Sequence, residues 1–336
     1  MSNSTPVPMP DWRLSVDAGD ITRMVSDRLV ELTLQDRRGM EADTLSLVLD
    51  DADGLLNIPN RGAKIEFHLG WQGEPLRNMG KYTVDDIAHE GPPDRLRITA
   101  RAANFRDEFK VAKETDWDDY TLQDIIDFIA GDHNLAPAVS PALGAIHVQH
   151  LDQTNESDAH FLSRLAKRYD AIASVKHEKL LFIHKGRGLS AGGAALPTLV
   201  IDRTEQDQHH YEETDRESRY TGVKALWSNP ASGRREFVVV GADGYLRTLK
   251  DPYPTEAEAT DAANGEWGRI QRAKALMSIT LAKGRADLQT EYPVRLTGWK
   301  PHITAHAWVL AQATHKLTPS TGYTTSLELE VKKADG

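Results

Sequence analysis

Thr44-Leu45-Ser46-Leu47-Val48-Leu49-Asp50 places leucine at every second position, and that beat runs through the first third of the chain. A period of two turns one side of a strand toward a core and the other toward water. Val30, Leu32 and Leu34 keep the period upstream. Ile65, Phe67, Leu69 and Trp71, then Leu96, Ile98 and Ala100, keep it downstream. Between the runs stand Asp53-Gly54, Asn60-Arg61-Gly62 and Gly91-Pro92-Pro93, residues that favour turns. Short strands at this spacing predict an antiparallel barrel or sandwich, assigned to residues 13–115. Residues 1–12 are polar and carry Pro6, Pro8 and Pro10, and read as a flexible lead-in.

Past residue 115 the period changes. Thr121 is placed to cap a helix whose stripe is Leu122, Ile125, Ile126 and Ile129, with Gly131 as its stop. Ser157 is placed to cap a second, faced by Phe161, Leu162, Leu165, Ala166 and Tyr169. Strands near 173–175 and 179–183 complete a mixed α/β module, residues 116–190. The Gly-, Ala- and Ser-rich stretch 186–195 reads as a linker or hairpin loop. Residues 191–336 return to strands around Val223, Ala225 and Trp227, Phe237 and Val239, Val294 and Leu296, and 325–331. One helix near 255–277 interrupts them, opened by a Thr255/Glu258 capping box and faced by Ala259, Ala262, Ala263, Trp267 and Ile270. The predicted class is α+β and β-rich: two strand modules flank a mixed one, doubled in architecture without an exact sequence repeat.

With 336 residues and a net charge of −10, the chain has room for two or three cores and no basic run for gripping phosphates. Specific nucleic-acid binding is not expected. The absence of cysteine excludes disulfides, thiolate zinc sites and cysteine nucleophiles. No signal-peptide pattern opens the chain and no apolar run is long enough for a membrane span.

The residues that invite chemistry each have a plainer reading. His147 and His150 are three apart, His209 and His210 adjacent, and His302 and His306 share a strand face if that region is extended. No HExxH-type motif accompanies them, and no metal site is assigned. Asp85-Asp86, Asp118-Asp119 and Glu212-Glu213 are neighbours whose side chains leave a strand on opposite faces, unlike a glycosidase pair. Gly186, Gly188, Gly192 and Gly193 lack phosphate-loop spacing, and no Gly-x-Ser-x-Gly occurs. No catalytic, cofactor-binding or metal-binding residue is assigned, and the chain is not expected to be an enzyme.

Residues 152–169 carry the kernel Asn155-Glu156-Ser157-Asp158, Phe161-Leu162 and Arg164-Leu165. This stretch resembles a signature of the phage late control protein D family, the hubs of contractile tail baseplates. More distantly, it resembles the hub portion of VgrG-like type VI secretion spike proteins. The resemblance extends in order over nearly the whole chain. Asp50-Asp51, Asp53-Gly54, Pro59, Gly62-Ala63 and Leu69-Gly70-Trp71 resemble the first barrel, with glycines 62, 70 and 322 at turns. Gly80 to Asp85 resembles its next strand, and Trp117 with Thr121-Leu122 the opening of the expected helix. Tyr220 to Val223, Ala225 and Trp227 resemble the start of the second barrel, and Trp308 through His315 to Thr325 its closing hairpin.

The resemblance implies two tail-tube-like antiparallel β-barrel modules per chain and a homotrimer whose six modules join a six-fold tail tube to a three-fold spike. The partners it implies are further copies of the chain, a separate central spike, the tube or its initiator, baseplate wedge proteins and a tape-measure protein. The implied location is the baseplate of a virion or tail-like particle assembled in the host cytoplasm. The chain ends soon after the last family-like strand, so the spike is expected to be a separate protein. Two alternatives stand beside this reading: a peptidoglycan-directed hydrolase with a β-rich binding region, and the hub of a type VI-like spike. An acidic lumen is the expectation for a bore that lets DNA slide.

Overall fold

The computed structural model describes residues 8–102, 107–214 and 219–332. The alternating stretch quoted above is β4, Thr44–Asp50. Around it fold β1 (Pro10–Val16), β2 (Gly19–Asp20), the short helix α1 (Thr22–Ser26), β3 (Leu29–Asp36), β5 (Lys64–Trp71), β6 (Arg77–Glu90) and β7 (Arg95–Ala102). Leu32, Leu34, Leu45, Leu47, Ile65, Phe67, Leu96 and Ala100 meet in one core, as their period of two requires. Proline at position 10 did not keep the segment out of the sheet: Pro10 to Val16 pair with β5, so the sheet claims the end of the expected lead-in. Residues 1–7 lie outside the described residues.

The middle of the chain contains β8 (Ala112–Thr121), α2 (Leu122–Asp132), β9 (Ala136–Val139), α3 (Pro141–Gly144), β10 (His147–Ser157), α4 (Asp158–Arg168), β11 (Ala171–Lys176) and β12 (Lys179–His184). Thr121 accepts from the Asp124 N–H and Ser157 from the His160 N–H, so both expected caps form. Gly131 does not stop α2; it lies inside, and the chain turns at Asn134, whose φ is 55°. Trp117 is in strand β8 rather than at a helix start. It packs with Phe161, Ile125, Leu165 and Phe182 in a second core.

The last part contains β13 (Leu199–Asp202), β14 (Gln206–Glu213), β15 (Gly222–Asn229), β16 (Arg234–Gly241), β17 (Leu246–Thr248), α5 (Glu256–Arg272), β18 (Ala275–Leu281), β19 (Pro293–Thr297), α6 (Pro301–Thr304), β20 (Trp308–Thr318) and β21 (Gly322–Val331). Residues 222–229 do not start the second barrel. β15 pairs with β16 and β17 in a separate sheet, where Val223 and Ala225 meet Ala259, Ala263 and Ile270 of α5. Two glycines let α5 pack closely: a Cβ on Gly265 would lie 2.7 Å from the Arg168 carbonyl, and one on Gly268 2.1 Å from an Asp170 carboxylate oxygen. Gly70 is not at a turn but buried within β5.

The two strand modules repeat one another. The order β3–β4–β7–β6–β5–β1 recurs as β14–β18–β21–β20–β19–β13, and both belong to one 13-stranded sheet. Pairing is antiparallel except between β13 and β19. The irregularities recur too. Val30 is the extra residue in β3 as Asp207 is in β14; Asp85 is the extra residue in β6 as Ala311 is in β20. Following the ladders equates Leu45 with Met277, Leu47 with Ile279, Leu49 with Leu281 and Val84 with Leu310. All eight are buried. The same path equates Asp36 with Glu213, and His89 with His315.

Candidate functional site: the seam between modules and the open sheet edges

The modules join by strand pairing. Ala313 to Leu317 of β20 lie antiparallel to Leu32–Asp36 of β3, with His315 opposite Leu34 and Lys316 opposite Thr33. Lys316 reaches Glu31 diagonally at 2.9 Å. His315 is fully buried, with Nδ1 2.9 Å from the Tyr323 hydroxyl and 3.1 Å from that of Thr325. Burial disfavours its charged form and pushes its pKa down to about 4.

Buried charges clamp the corners of this seam. Lys176 of β11 donates to Asp36 at 2.7 Å and to Asp43 at 2.5 Å. Burial pulls its pKa down, but the two carboxylates outweigh that and raise it. Arg38, just past β3, pairs with Glu291 and with Glu330 of β21. Arg272, at the end of α5, holds Asp170 through two hydrogen bonds of 2.9 and 2.5 Å and approaches Glu330 at 3.4 Å. Burial pushes Glu291 up and the neighbouring Lys185 down. Residues from both strand modules, the mixed module and the α5 unit thus meet in one ionic cluster. The hollows between modules are lined by these same groups, Asp36, Lys176 and Glu291 on one side and Asp170 and Arg272 on the other. Those charges already have partners.

The stretch 152–169 is a strand-to-helix corner. Asn155 takes φ 48° at a bulge of β10. Glu156 accepts from Arg164, and its carboxylate lies 2.6 Å from the His160 ring. Asp158 at the start of α4 is only 1% exposed. It accepts from Gln153 at 2.8 Å, pairs with Lys113 at 2.8 Å and lies 2.7 Å from His133 Nε2. Burial raises its pKa, but these donors more than reverse that, and it is lowered. A helix-start charge was legible in the sequence; the distant partners that make Asp158 an anchor were not.

Among the described residues, the 13-stranded sheet is open on one side along β14, which pairs with β18, and along β6 beyond Val84, which pairs with β7, as it is along β13 and most of β1. Every residue from Asp85 to Glu90 is exposed except the partly buried Ile87, and β14 is exposed at Asp207–His210 and at Glu212–Glu213.

The histidine candidates separate. His147 lies 3.1 Å from Asp119, and His150 2.5 Å from Asp118. The hydrogen-bonded carboxylate of Asp118 raises the pKa of His150. His209 approaches Gln206 at 3.3 Å, and His210 lies 3.8 Å from Glu212. His302 and His306 do not share a strand face. Pro301 begins a helical turn, which brings both rings to the end of β14, with Nε2 of each 2.8 and 3.5 Å from Glu213 Oε1. Among the acidic neighbours Asp85 pairs with Arg101 at 2.9 Å. The glycine-rich loop folds on itself through a Leu189–Ala195 bridge.

Residues 43–321 match the profile of the phage tail baseplate hub (GPD) family. The chain is 39% identical to the probable baseplate hub protein of Escherichia phage P2 and 39% identical to that of phage 186. Each match covers 97% of this chain and 94% of the relative. Its fold is similar to that of the 43 kDa tail protein of prophage MuSo2 from Shewanella oneidensis, with a TM-score of 0.70, 13% identity, and 95% and 98% of the two chains covered. An Escherichia coli type VI secretion component shares the fold more distantly, with a TM-score of 0.56, 11% identity, and 96% of this chain and 77% of that one covered.

Proposed function

The chain belongs to the phage tail baseplate hub family, a structural component of the virion baseplate, and from that premise we propose that it works as a homotrimeric ring. Three copies supply six strand modules, matching a six-fold tube on one face and a three-fold spike on the other. The observation that carries this reading is the doubled module. One chain already contains two modules joined edge to edge, and among the described residues one edge of each kind is unpaired. Unpaired edges are normally covered or paired, and a head-to-tail interface closes into a ring when its rotation permits.

In this reading the chain is a scaffold without a catalytic role, and its charged clusters serve rigidity. The spike, the tube or its initiator, the wedge and the tape-measure protein are its partners. The domain reading is likewise structural: the strand modules form the ring, and the mixed module and α5 unit brace its corners. Light scattering after size exclusion, with and without the spike, tests the ring. A mass near three times 37.3 kDa is expected in at least one case. A chain that stays monomeric with the spike present overturns it.

A further inference from the structure

We propose that the ring closes by antiparallel pairing of β14 in one copy with the Asp85–Glu90 half of β6 in the next, Ile87 opposite Glu213, Ala88 opposite Glu212, His89 opposite Tyr211 and Glu90 opposite His210. This rests on the ring reading above, and the internal seam is its template. The repeated strand order makes β6 the counterpart of β20, and β14 the counterpart of β3. Matching bulges fix the correspondence to the residue. Carrying the observed pairs Ala313–Asp36, Thr314–Gln35, His315–Leu34 and Lys316–Thr33 across it gives the four pairs above.

The backbone that this pairing needs is the backbone left free, since no described strand pairs with that side of β6 beyond Val84 or with the outer side of β14. Side chains fit the same pattern. His89 and Tyr211 occupy the core-side positions filled at the internal seam by His315 and Leu34. Ala88, Glu90, His210 and Glu212 occupy the outward ones, and all four are exposed. Glu90 stands where Lys316 stands in the internal seam, and it meets His210 and Gln208 rather than Thr33 and Glu31.

The chain has no cysteine, so a paired-cysteine test has no background. Directly opposed residues of an antiparallel pair bring their Cβ atoms to about 5 Å, within reach of a disulfide after a small adjustment. The full chain carrying Ala88→Cys with Glu212→Cys, oxidised in the presence of the spike, is expected to give covalent dimers and trimers and nothing larger. Ala88→Cys with His210→Cys, on the same face but out of register, is expected to cross-link at least tenfold more slowly. Light scattering on the unoxidised double variant counts copies independently. A trimer that does not cross-link at 88 and 212, or cross-links equally at 88 and 210, overturns the seam and leaves the ring standing. A monomer overturns both.

A second inference stands on a different observation: we infer that Glu213, His302 and His306 form a zinc-type divalent-cation site, although no metal was expected from the sequence. Their ligand atoms all lie within 4.8 Å of one another. Ligands about 2.0–2.1 Å from a tetrahedral zinc stand about 3.4 Å apart, a spacing bracketed by the observed 2.8 and 3.5 Å. The equivalent carboxylate in the first module, Asp36, is met by Lys176, whereas Glu213 faces two imidazoles. The Tyr211 hydroxyl lies 3.4 Å from the same His306 Nε2, a contact that a bound ion would replace.

Isothermal titration of the full chain with zinc chloride is expected to show one site per chain. His302→Ala and His306→Ala are each expected to weaken it at least tenfold, and His147→Ala to leave it unchanged. No binding, or binding that survives His306→Ala, overturns the assignment.

Discussion

Two edges of the same sheet show what joining does to a residue. At the sealed seam His315 is fully buried, opposite Leu34 of the neighbouring module. At the open edge its counterpart His89 keeps 41% of its side chain exposed and rests on Asp51 at 3.2 Å. The ladders and bulges are alike; the difference is whether another module lies alongside. The corners differ in the same way. Asp36 is covered by a largely buried lysine, while Glu213 faces water beside two histidines. The paired edge is flanked by largely buried charge pairs, whereas the unpaired edge keeps exposed polar residues such as Gln208, His210 and Glu212.

Breaking the sealed side should have the largest effect. Arg272→Ala leaves Asp170 buried without its guanidinium, and unpairing a buried ion pair costs about 3–5 kcal/mol; denaturant unfolding is expected to show a loss of that order. A loss below about 1 kcal/mol, typical of exposed pairs, would mean the cluster does not clamp the modules.

The seam histidine sets the next effect, through pH. His315 has a folded pKa of about 4 against an ordinary 6.5, so it is neutral in both states at high pH. As the pH falls through 6.5 the unfolded chain takes up the proton first. Stability is therefore whole above about 6.5 and declines toward about 4, by about 3 kcal/mol in all. Unfolding curves of His315→Gln are expected to lose most of that slope, while those of His89→Gln keep it.

A smaller contrast separates the corners. Asp36→Asn weakens a largely buried charge-assisted bond and is expected to cost about 1–3 kcal/mol, whereas the equivalent Glu213→Gln, at an exposed position, should leave the denaturation midpoint unmoved. Smallest of all is Arg101→Ala. It removes an exposed pair with Asp85 beside the open edge, and thermal unfolding should register less than about 1 kcal/mol.

Much of the scaffold was legible because a half-buried strand writes its geometry as a period of two. Leu45, Leu47 and Leu49, or Ile65, Phe67 and Leu69, have no other reason to alternate. The caps at Thr121 and Ser157 were legible because capping is local. What did not show was anything decided by distant partners. Val223 and Ala225 read correctly as strand, but no periodicity says which sheet a strand joins; the small residues of α5 drew β15 away from the barrel. Helices often end on glycine, which makes Gly131 the expected stop, yet Asn134 supplies the left-handed turn. His302 and His306 share a strand face only if their region is extended, and Pro301 instead starts a helical turn. The seam was least visible: bulges at Val30 and Asp207, or at Asp85 and Ala311, have no sequence signature, yet they set the register of the repeat.

The most direct test of the account is the image of the hub bound to its spike by electron cryomicroscopy, viewed along the particle axis. Six strand modules in one ring from three chains are expected, joined by two alternating kinds of seam, β20 with β3 inside each chain and β6 with β14 between chains. A ring whose chains meet through the mixed module, or whose β14 edge stays open to solvent, would contradict it.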